Sequence, residues 1–284
     1  MESVSGPLWV DSHHLGKFRS AVYDTVWRVF LKNRLARERL SVEKSLVSLM
    51  DEIRGRLELL ECSLPKRVDA MAVSRISKLP YKVMFYREAL IWRMTELGRT
   101  AFENFERDKL VSAIVLTRSA VETSAAIWYL RAKVASAVES DSVGDIDDYL
   151  MKVAVGIATD APTTDDTTRV DFPRPVRVSA FLKQADKDIE GFSHQYGILS
   201  EYAHPNWAGT VLLYAKHDPE NRRTDFGQNI RKGDNTKKIG VLNLSVALAM
   251  FEVSYNRITD LTPSFTTVCE SGLQEGQDTK PTPK

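Results

Sequence analysis

The amino-acid sequence predicts an all-α fold. Long segments carry apolar residues three and four positions apart, which is the spacing of an amphipathic helix. Helices do not alternate with apolar strands along the chain, as they would in an α/β protein. The 284 residues are 43% hydrophobic and 27% charged, close to the composition of soluble globular proteins. A chain of this length and composition buries a sizeable core in one or two domains.

Charge and cysteine usage narrow the range of functions. The 39 basic and 38 acidic residues leave a net charge of +1, so no overall field draws the chain to nucleic acid or to anionic lipid. Cys62 and Cys269 stand far apart without metal-type spacing, which favours a cytoplasmic protein over a disulfide-linked one. We expect no signal peptide, and the longest apolar stretch, 239–253, is shorter than the roughly 20 residues of a membrane span. We therefore expect no contact with a membrane.

Residues 1–64 are predicted to add N-terminal helices to the fold. The first runs from about Lys17 to Arg37, and the second opens at Ser41 and ends before Pro65, where a helix commonly stops. The second helix carries an apolar stripe that must be covered. The stripe consists of Val42, Leu46, Leu49, Ile53, Leu57 and Leu60. These helices are expected either to pack on the rest of the fold or to contact a partner.

Residues 65–262 are predicted to form a bundle of long antiparallel helices. Residues 110–116 are apolar on nearly every side, which is typical of a central helix. Thr262 and Pro263 are expected to end the last helix, and residues 263–284 have little to bury and are expected to be disordered. The predicted helices run from about Pro80 to Phe105, Asp108 to Val138, Asp145 to Val155, Val178 to Ile189, Phe192 to Ala203 and Ile239 to Leu261.

Two irregular segments interrupt this bundle. Residues 159–175 are rich in Thr, Asp and Pro and show no periodicity, which indicates a loop. Residues 210–214 have the composition of a β-strand, and Arg223 to Phe226 are expected to pair back on them across the polar turn at 217–221. The sequence thus predicts a small β-hairpin insertion after Pro205.

Two polar motifs interrupt segments that otherwise resemble core. Arg118 and Glu122 lie four residues apart in the most apolar helix, with the arginine first, which is the weaker order for a surface ion pair. Glu201 and His204 lie on adjacent turns of another helix, which Pro205 ends. Isolated charges are costly to bury, so we expect a buried Arg118, with Glu122, to contact the helix that carries the second motif. A surface ion pair, a helix-end cap and a solvated acid are the simpler interpretations of the same residues.

Aromatic and amide side chains accompany the two motifs and are candidates for substrate binding: Tyr129, Tyr196, Tyr202, Asn206 and Trp207. Metal binding is a weaker interpretation, because the Glu201–His204 spacing of di-iron bundles needs a second copy, and none stands at a corresponding place. The sequence has no glycine-rich phosphate loop, no nucleophile elbow and no Cys-His pair. We expect no metal and no cofactor.

The same residues resemble the motifs of a known family. Arg118-x-x-x-Glu122, with Trp128-Tyr129 behind it, and Leu199 to Pro205 (Leu-Ser-Glu-Tyr-Ala-His-Pro) are similar to motifs of mostly uncharacterised bacterial proteins with an all-helical HEPN-like domain. The likeness covers roughly residues 81–261 and implies an antiparallel helical bundle that often dimerises. Many HEPN proteins are metal-independent ribonucleases of toxin–antitoxin and antiphage systems, whereas others bind nucleotides or proteins without catalysis.

The resemblance leaves two functions open. In the first, the chain is a metal-independent ribonuclease or related effector that acts on RNA or a nucleotide, with Arg118, Glu122, Glu201 and His204 as catalytic residues. His204 would act as acid or base near neutrality, and Arg118 would stabilise the pentavalent phosphorane. Active members carry an arginine that four to six residues separate from the histidine, and the residues at those positions, Gly197 to Leu199, include no arginine. In the second, the chain is a non-catalytic helical module that binds a second copy or another protein, and its polar cluster fixes the helix register.

Overall fold

The computed structural model describes residues 46–156, 173–228, 230–231 and 235–278, with side chains through Leu273. The described residues, apart from Asp188–Glu190, form one compact unit. They are mostly helical and include a single two-stranded sheet, so the predicted all-α class is confirmed. The helix predicted at 17–37 and most of the loop predicted at 159–175 lie outside the described residues.

The described helices match most of the predicted ones. They are α1 (Leu46–Cys62), α2 (Ala70–Val73), α3 (Leu79–Glu106), α4 (Leu110–Glu139), α5 (Ile146–Val155), α6 (Val178–Asp188), α7 (Phe192–Ala203), α8 (Val211–Tyr214) and α9 (Thr236–Asp278). The strands are β1 (Ala215–Asp218) and β2 (Arg223–Phe226). Helices α3 to α7 begin and end within two residues of their predicted positions.

Helix α3 runs antiparallel to α4 and to α9. Only residues 107–109 join α3 to α4, so the chain reverses direction there. Along α9, Gly240 lies against Phe105 near the end of α3, whereas Tyr255 donates a hydrogen bond to Glu88 near its start. The start of α9 thus lies beside the end of α3, and later residues of α9 lie beside earlier residues of α3. This is the antiparallel arrangement that the sequence predicts.

Helices α4 and α9 run in the same direction. Gly240 lies against Ile114, and about two turns further along α9 the carbonyl of Ala247 accepts a hydrogen bond of 2.6 Å from the hydroxyl of Ser124, which follows Ile114 on α4. A Cβ atom at Gly240 would lie 2.5 Å from the Phe105 ring and 3.3 Å from Ile114. Only glycine permits this close approach of three helices. The long helices are therefore not all antiparallel.

Large apolar side chains from α1, α3, α4 and α9 fill the space between the helices. Helix α1 packs onto α3 and α9 and buries four residues of its predicted stripe: Leu49, Ile53, Leu57 and Leu60. Val42 lies outside the described residues. Leu57 lies against Gly98, and Arg56 pairs with Glu252. Burial of each such apolar side chain contributes roughly 1.5–3 kcal/mol. The fully buried large side chains include Ile53, Leu57, Met94, Phe102, Phe105, Ile114, Ile127 and Phe251.

Helix α9 continues through Pro263 to Asp278, so the prediction that it ends before the proline is wrong. Apolar side chains beyond the proline are buried, and their burial offsets the backbone hydrogen bond that a proline removes. These side chains are Phe265, Val268 and Cys269. Residues 263–278, which the sequence assigns to a disordered tail, are therefore helical, and residues 279–284 lie outside the described part.

The predicted hairpin is present, but its first strand is misplaced in the prediction. Strand β2 lies where the sequence places it, whereas its partner is β1 rather than residues 210–214. Those residues form the helical turn α8, because the N–H of Tyr214 bonds the carbonyl of Thr210 at 3.0 Å. Leu213 is buried by this turn. The β propensity of a short apolar run depends on its packing, and here the packing favours a helical turn.

Among the described residues, two helices are long and apolar enough to cross a membrane by length and composition alone. They are Leu110–Glu139, with a mean hydropathy of 1.4, and Thr236–Leu273, with 1.3. In each, 61% of the most apolar window is buried inside the protein. Central helices of a bundle share this composition because neighbouring helices cover them on most sides. The expected cytoplasmic location without membrane contact stays a prediction.

Candidate functional site

A cluster of three polar side chains joins α4 to α7. The Tyr196 hydroxyl on α7 donates to Oε1 of Glu122 at 2.7 Å and accepts from Nη2 and Nε of Arg118 at 2.6 and 3.1 Å. Nη2 of Arg118 lies 3.4 Å from Oε1 of Glu122. Their four-residue spacing places both side chains on one face of α4. The prediction that this pair contacts the helix of Glu201 and His204 is confirmed.

The cluster is partly open to solvent. The exposed fraction of the side chain is 32% for Arg118 and 23% for Glu122, so Arg118, which the sequence predicts to be largely buried, keeps about a third of its side chain exposed. The Tyr196 ring covers part of the guanidinium, whose central carbon lies 5.0 Å from the ring centroid. Burial and the adjacent Glu122 carboxylate raise the pKa of Tyr196. The hydroxyl therefore stays protonated and donates a hydrogen bond to the carboxylate.

Glu201 and His204 form no part of this cluster. Glu201 is exposed and accepts a hydrogen bond of 2.7 Å from Nδ2 of Asn206. His204 follows the last residue of α7, its side chain is exposed, and its backbone is extended as expected before Pro205. Eight residues separate it from Tyr196, which is about 12 Å along a helix axis. Of the four predicted catalytic residues, Arg118 and Glu122 thus share the contact with Tyr196, whereas Glu201 contacts Asn206 and His204 is exposed.

The remaining predicted binding residues lie in different environments. Tyr129 packs between α5 and α6, with ring centroids 5.1 Å from Tyr149 and 5.5 Å from Phe181. Tyr202 accepts a long hydrogen bond of 3.4 Å from the first residue of α9. Trp207 is 59% exposed. Tyr129 and Tyr202 therefore contribute to helix packing, whereas Trp207 is free to meet another molecule.

A second and more deeply buried arginine cluster lies between α3 and α9. The side chains of Arg87 and Glu88 are 7% and 9% exposed. Nε of Arg87 donates to Glu88 at 2.8 Å, and Nη1 donates to the Thr259 hydroxyl at 2.6 Å. The Tyr255 hydroxyl donates to the other Glu88 oxygen at 2.6 Å, and its ring lies 4.2 Å from the guanidinium carbon. The two buried charges thus pair with each other, and α9 supplies their further partners.

Sequence reasoning missed this second cluster, although a signal for it exists. Arg87 falls on the apolar stripe of α3, four residues after Val83 and four before Ile91. A charge at a core position predicts a buried partner. The periodicity of α3 does not reveal which helix supplies that partner, because Tyr255 lies 167 residues from Glu88 in the sequence.

Exposed apolar side chains cluster where the hairpin meets the start of α4. A cavity of about 460 Å³ opens there, and Tyr214 and Phe226 line it. These two aromatic side chains are 43% and 77% exposed. Val211 lies on the same face of α8 as Tyr214 and is 46% exposed. The exposed Trp207 lies four positions before Val211, and its carbonyl accepts a hydrogen bond from the N–H of Leu212 at 2.9 Å. We call these four exposed residues the hairpin patch (Trp207, Val211, Tyr214 and Phe226).

The described residues contain no group of three or more His, Cys, Asp or Glu side chains that could hold a metal ion. Comparisons with protein-family models, with curated proteins and with solved structures found no match. The resemblance to HEPN-like proteins therefore rests on the two sequence motifs alone.

Proposed function

We propose that this chain is a non-catalytic helical binding module that docks a protein partner on the hairpin patch. The patch itself carries the proposal, because its side chains are apolar and exposed and lie within 20 residues of each other in the chain. Soluble proteins expose contiguous apolar surface mainly where they bind something. Three of its four residues are aromatic, and aromatic side chains are enriched in the centres of protein interfaces.

A structural role for the polar cluster agrees with this proposal. Arg118 and Glu122 both use the Tyr196 hydroxyl as partner, and a hydrogen-bonded cluster of this kind fixes one register between two helices. Metal-free RNA cleavage needs a cation and an acid or base at the same phosphate. His204 stands about 12 Å along the axis of α7 from Tyr196, and partner binding requires no such convergence.

Photo-cross-linking in cells tests the proposal. A cross-linking amino acid in place of Tyr214 should form an adduct with a different protein, and the change Trp207→Glu in the same chain should weaken that adduct. Met71 on α2 is a matched control, because it is 63% exposed and lies outside the patch. Equal adducts from positions 214 and 71, or none from 214, would contradict docking on the patch.

A metal-independent ribonuclease of a toxin–antitoxin or antiphage system is the second candidate. It is favoured by the exposure of His204 and the partial exposure of Arg118 on two packed helices. Expression of wild type and of His204→Ala, with bacterial growth and RNA integrity followed, separates the two candidates. The exposed His194 at the other end of α7 supplies the control variant His194→Ala.

A binding module should leave RNA intact in all three strains. RNA cleavage by the purified chain that persists in EDTA, is lost in His204→Ala, falls in Arg118→Ala and is retained in His194→Ala would establish the ribonuclease instead. Helical content should be measured for each variant, so that loss of activity is not confused with loss of folding.

A further inference from the structure

Strand β2 presents an open edge. All four of its residues are exposed, and β1 is its only strand partner in the described part of the chain. The N–H of Gly227 bonds the carbonyl of Tyr214 at 3.0 Å, which makes these two residues a hydrogen-bonded pair of the ladder. Such pairs alternate along an antiparallel ladder, so Arg223 and Asp225 direct their backbone groups to β1. The N–H and C=O of Thr224 therefore point to the open edge.

The outer edge of β1 is covered, unlike that of β2. Nε of Arg231 donates to the carbonyl of Ala215 at 3.0 Å and occupies that edge. A two-stranded hairpin is marginally stable by itself, and an exposed strand edge is a template for another strand. The hairpin thus has one edge to which a strand can be added, and that edge belongs to β2.

The charged residues of the hairpin indicate which charge order a strand needs to pair with this edge. The register places Lys216 opposite Asp225 and Asp218 opposite Arg223. Nε of Arg223 lies 3.6 Å from carboxylate oxygens of both Asp218 and Asp225, so these charges share one face of the sheet. Opposite charges therefore face each other between β1 and β2. A further strand that keeps this pattern must place an acidic residue opposite Arg223 and a basic residue opposite Asp225. Strand β2 itself has this charge order when it is reversed.

We propose that two copies of this chain pair antiparallel through β2, with a two-fold axis at Thr224. Arg223 then lies opposite the partner's Asp225, and Asp225 opposite the partner's Arg223. Thr224 exchanges both backbone hydrogen bonds with the partner's Thr224, which agrees with the outward direction of its N–H and C=O. The two ion pairs occupy positions without backbone hydrogen bonds, where facing side chains lie closest.

The paired hairpins form one four-stranded sheet with alternating charge. Each row across the charged face reads basic, acidic, basic, acidic, from Lys216 and Asp225 to the partner's Arg223 and the partner's Asp218. The same patch pairs with itself, as a two-fold interface requires. This pairing goes beyond the proposed function, since it uses the backbone and charges of β2 whether or not the hairpin patch binds another protein.

Charge reversal in the full-length chain tests the pairing. Wild type should dimerise in sedimentation equilibrium as the concentration rises about a hundredfold, which suits a small interface. Arg223→Asp and Asp225→Arg each place like charges across the axis at both symmetric positions, so each variant alone should stay monomeric. An equimolar mixture of the two variants should dimerise, because each reversed residue then faces an opposite charge. Rescue by mixing also shows that both variant hairpins are folded.

Two further variants examine the backbone and the specificity of the charge effect. Thr224→Pro removes the outward N–H while leaving the bonds to β1, and it should abolish the dimer. Glu220→Arg reverses an exposed charge in the turn and should dimerise as wild type does. The proposal is overturned by a wild type that stays monomeric, by a mixture that does not associate, or by a Thr224→Pro variant that dimerises normally.

Discussion

The hydroxyl of Tyr196 lies 2.7 Å from a carboxylate oxygen of Glu122, 74 residues earlier in the chain. The same hydroxyl accepts a hydrogen bond from Arg118, so a single oxygen atom joins two opposite charges of α4 to α7. Hydrogen bonds to ionised groups are stronger than those between neutral groups. One phenolic oxygen therefore contributes to the register between these two helices.

Removal of that oxygen should destabilise the fold by a small amount. Tyr196→Phe leaves Arg118 and Glu122 3.4 Å apart, and because both are partly exposed, water replaces part of the lost bonding. We expect a loss of about 1 kcal/mol in the free energy of unfolding, measured by urea denaturation. Tyr214→Phe, at an exposed tyrosine of the hairpin patch, should have little effect. Equal losses of stability for both variants would show that the hydrogen bonds of the Tyr196 hydroxyl do not stabilise the fold.

Replacement of Arg87 should lower the free energy of unfolding far more, because its side chain is almost excluded from solvent. Arg87→Met leaves the Glu88 carboxylate buried without its main partner, for which we expect a loss of ~3–5 kcal/mol. The double change Arg87→Met with Glu88→Leu should recover part of that loss, since no charge is then left buried. Urea denaturation of the two single variants and the double variant measures the coupling.

A surface pair provides the control for this cycle. Arg99 and Glu61 have side chains 26% and 39% exposed, and such pairs contribute only ~0–1 kcal/mol. Arg99→Met should therefore change stability much less than Arg87→Met. Strict additivity of the Arg87 and Glu88 changes would mean that the two residues are not coupled.

The sequence predicts the helices well because their apolar periodicity is a local signal. Helix α7 needs no more than the glycine before it and the proline after it to define its ends. The end of α9 depends on burial of Phe265, a contact between distant parts of the chain that local propensity does not contain. The first strand of the hairpin was misplaced for the same reason, since burial of Leu213 favours a helical turn.

The candidate site was predicted in part. Arg118 and Glu122 were identified because two charges in an apolar helix need a partner, and the structure supplies one from the expected helix. The partner atom belongs to Tyr196, which the motif spacing does not single out, because Glu201 and His204 lie further round and further along α7. Spacing within one helix specifies a face, whereas the contacts of that face depend on how two helices cross.

Two glycines in helices should respond to alanine with opposite signs. A Cβ atom at Gly240 would lie 2.5 Å from the buried ring of Phe105, whereas one at Gly55 would meet nothing within 4 Å. Gly240→Ala should destabilise by ~1–3 kcal/mol through overpacking. Gly55→Ala should stabilise α1 by ~0.5–1 kcal/mol, because alanine loses less backbone entropy in a helix. Stabilisation by both changes, measured by urea denaturation, would show that Phe105 moves aside freely.

Buried tyrosines should make the fold sensitive to alkali. Burial raises the pKa of Tyr86 from 10.0 to about 12, and burial also raises the pKa values of Tyr149, Tyr196 and Tyr255. A raised pKa means that the fold favours the neutral phenol. Its contribution to stability is fully present below pH 10 and is lost as the pH rises through the raised values.

A titration of tyrosinate absorbance, followed together with helical circular dichroism, measures this effect. The chain has nine tyrosines, and we expect the four whose pKa is raised to ionise at high pH, in the same interval in which the helices unfold. Tyr255→Phe removes one buried phenol and should reduce the number that ionise late by one. Ionisation of all nine in a single step near pH 10, with the helices intact, would show that these phenols are accessible to solvent in the folded protein.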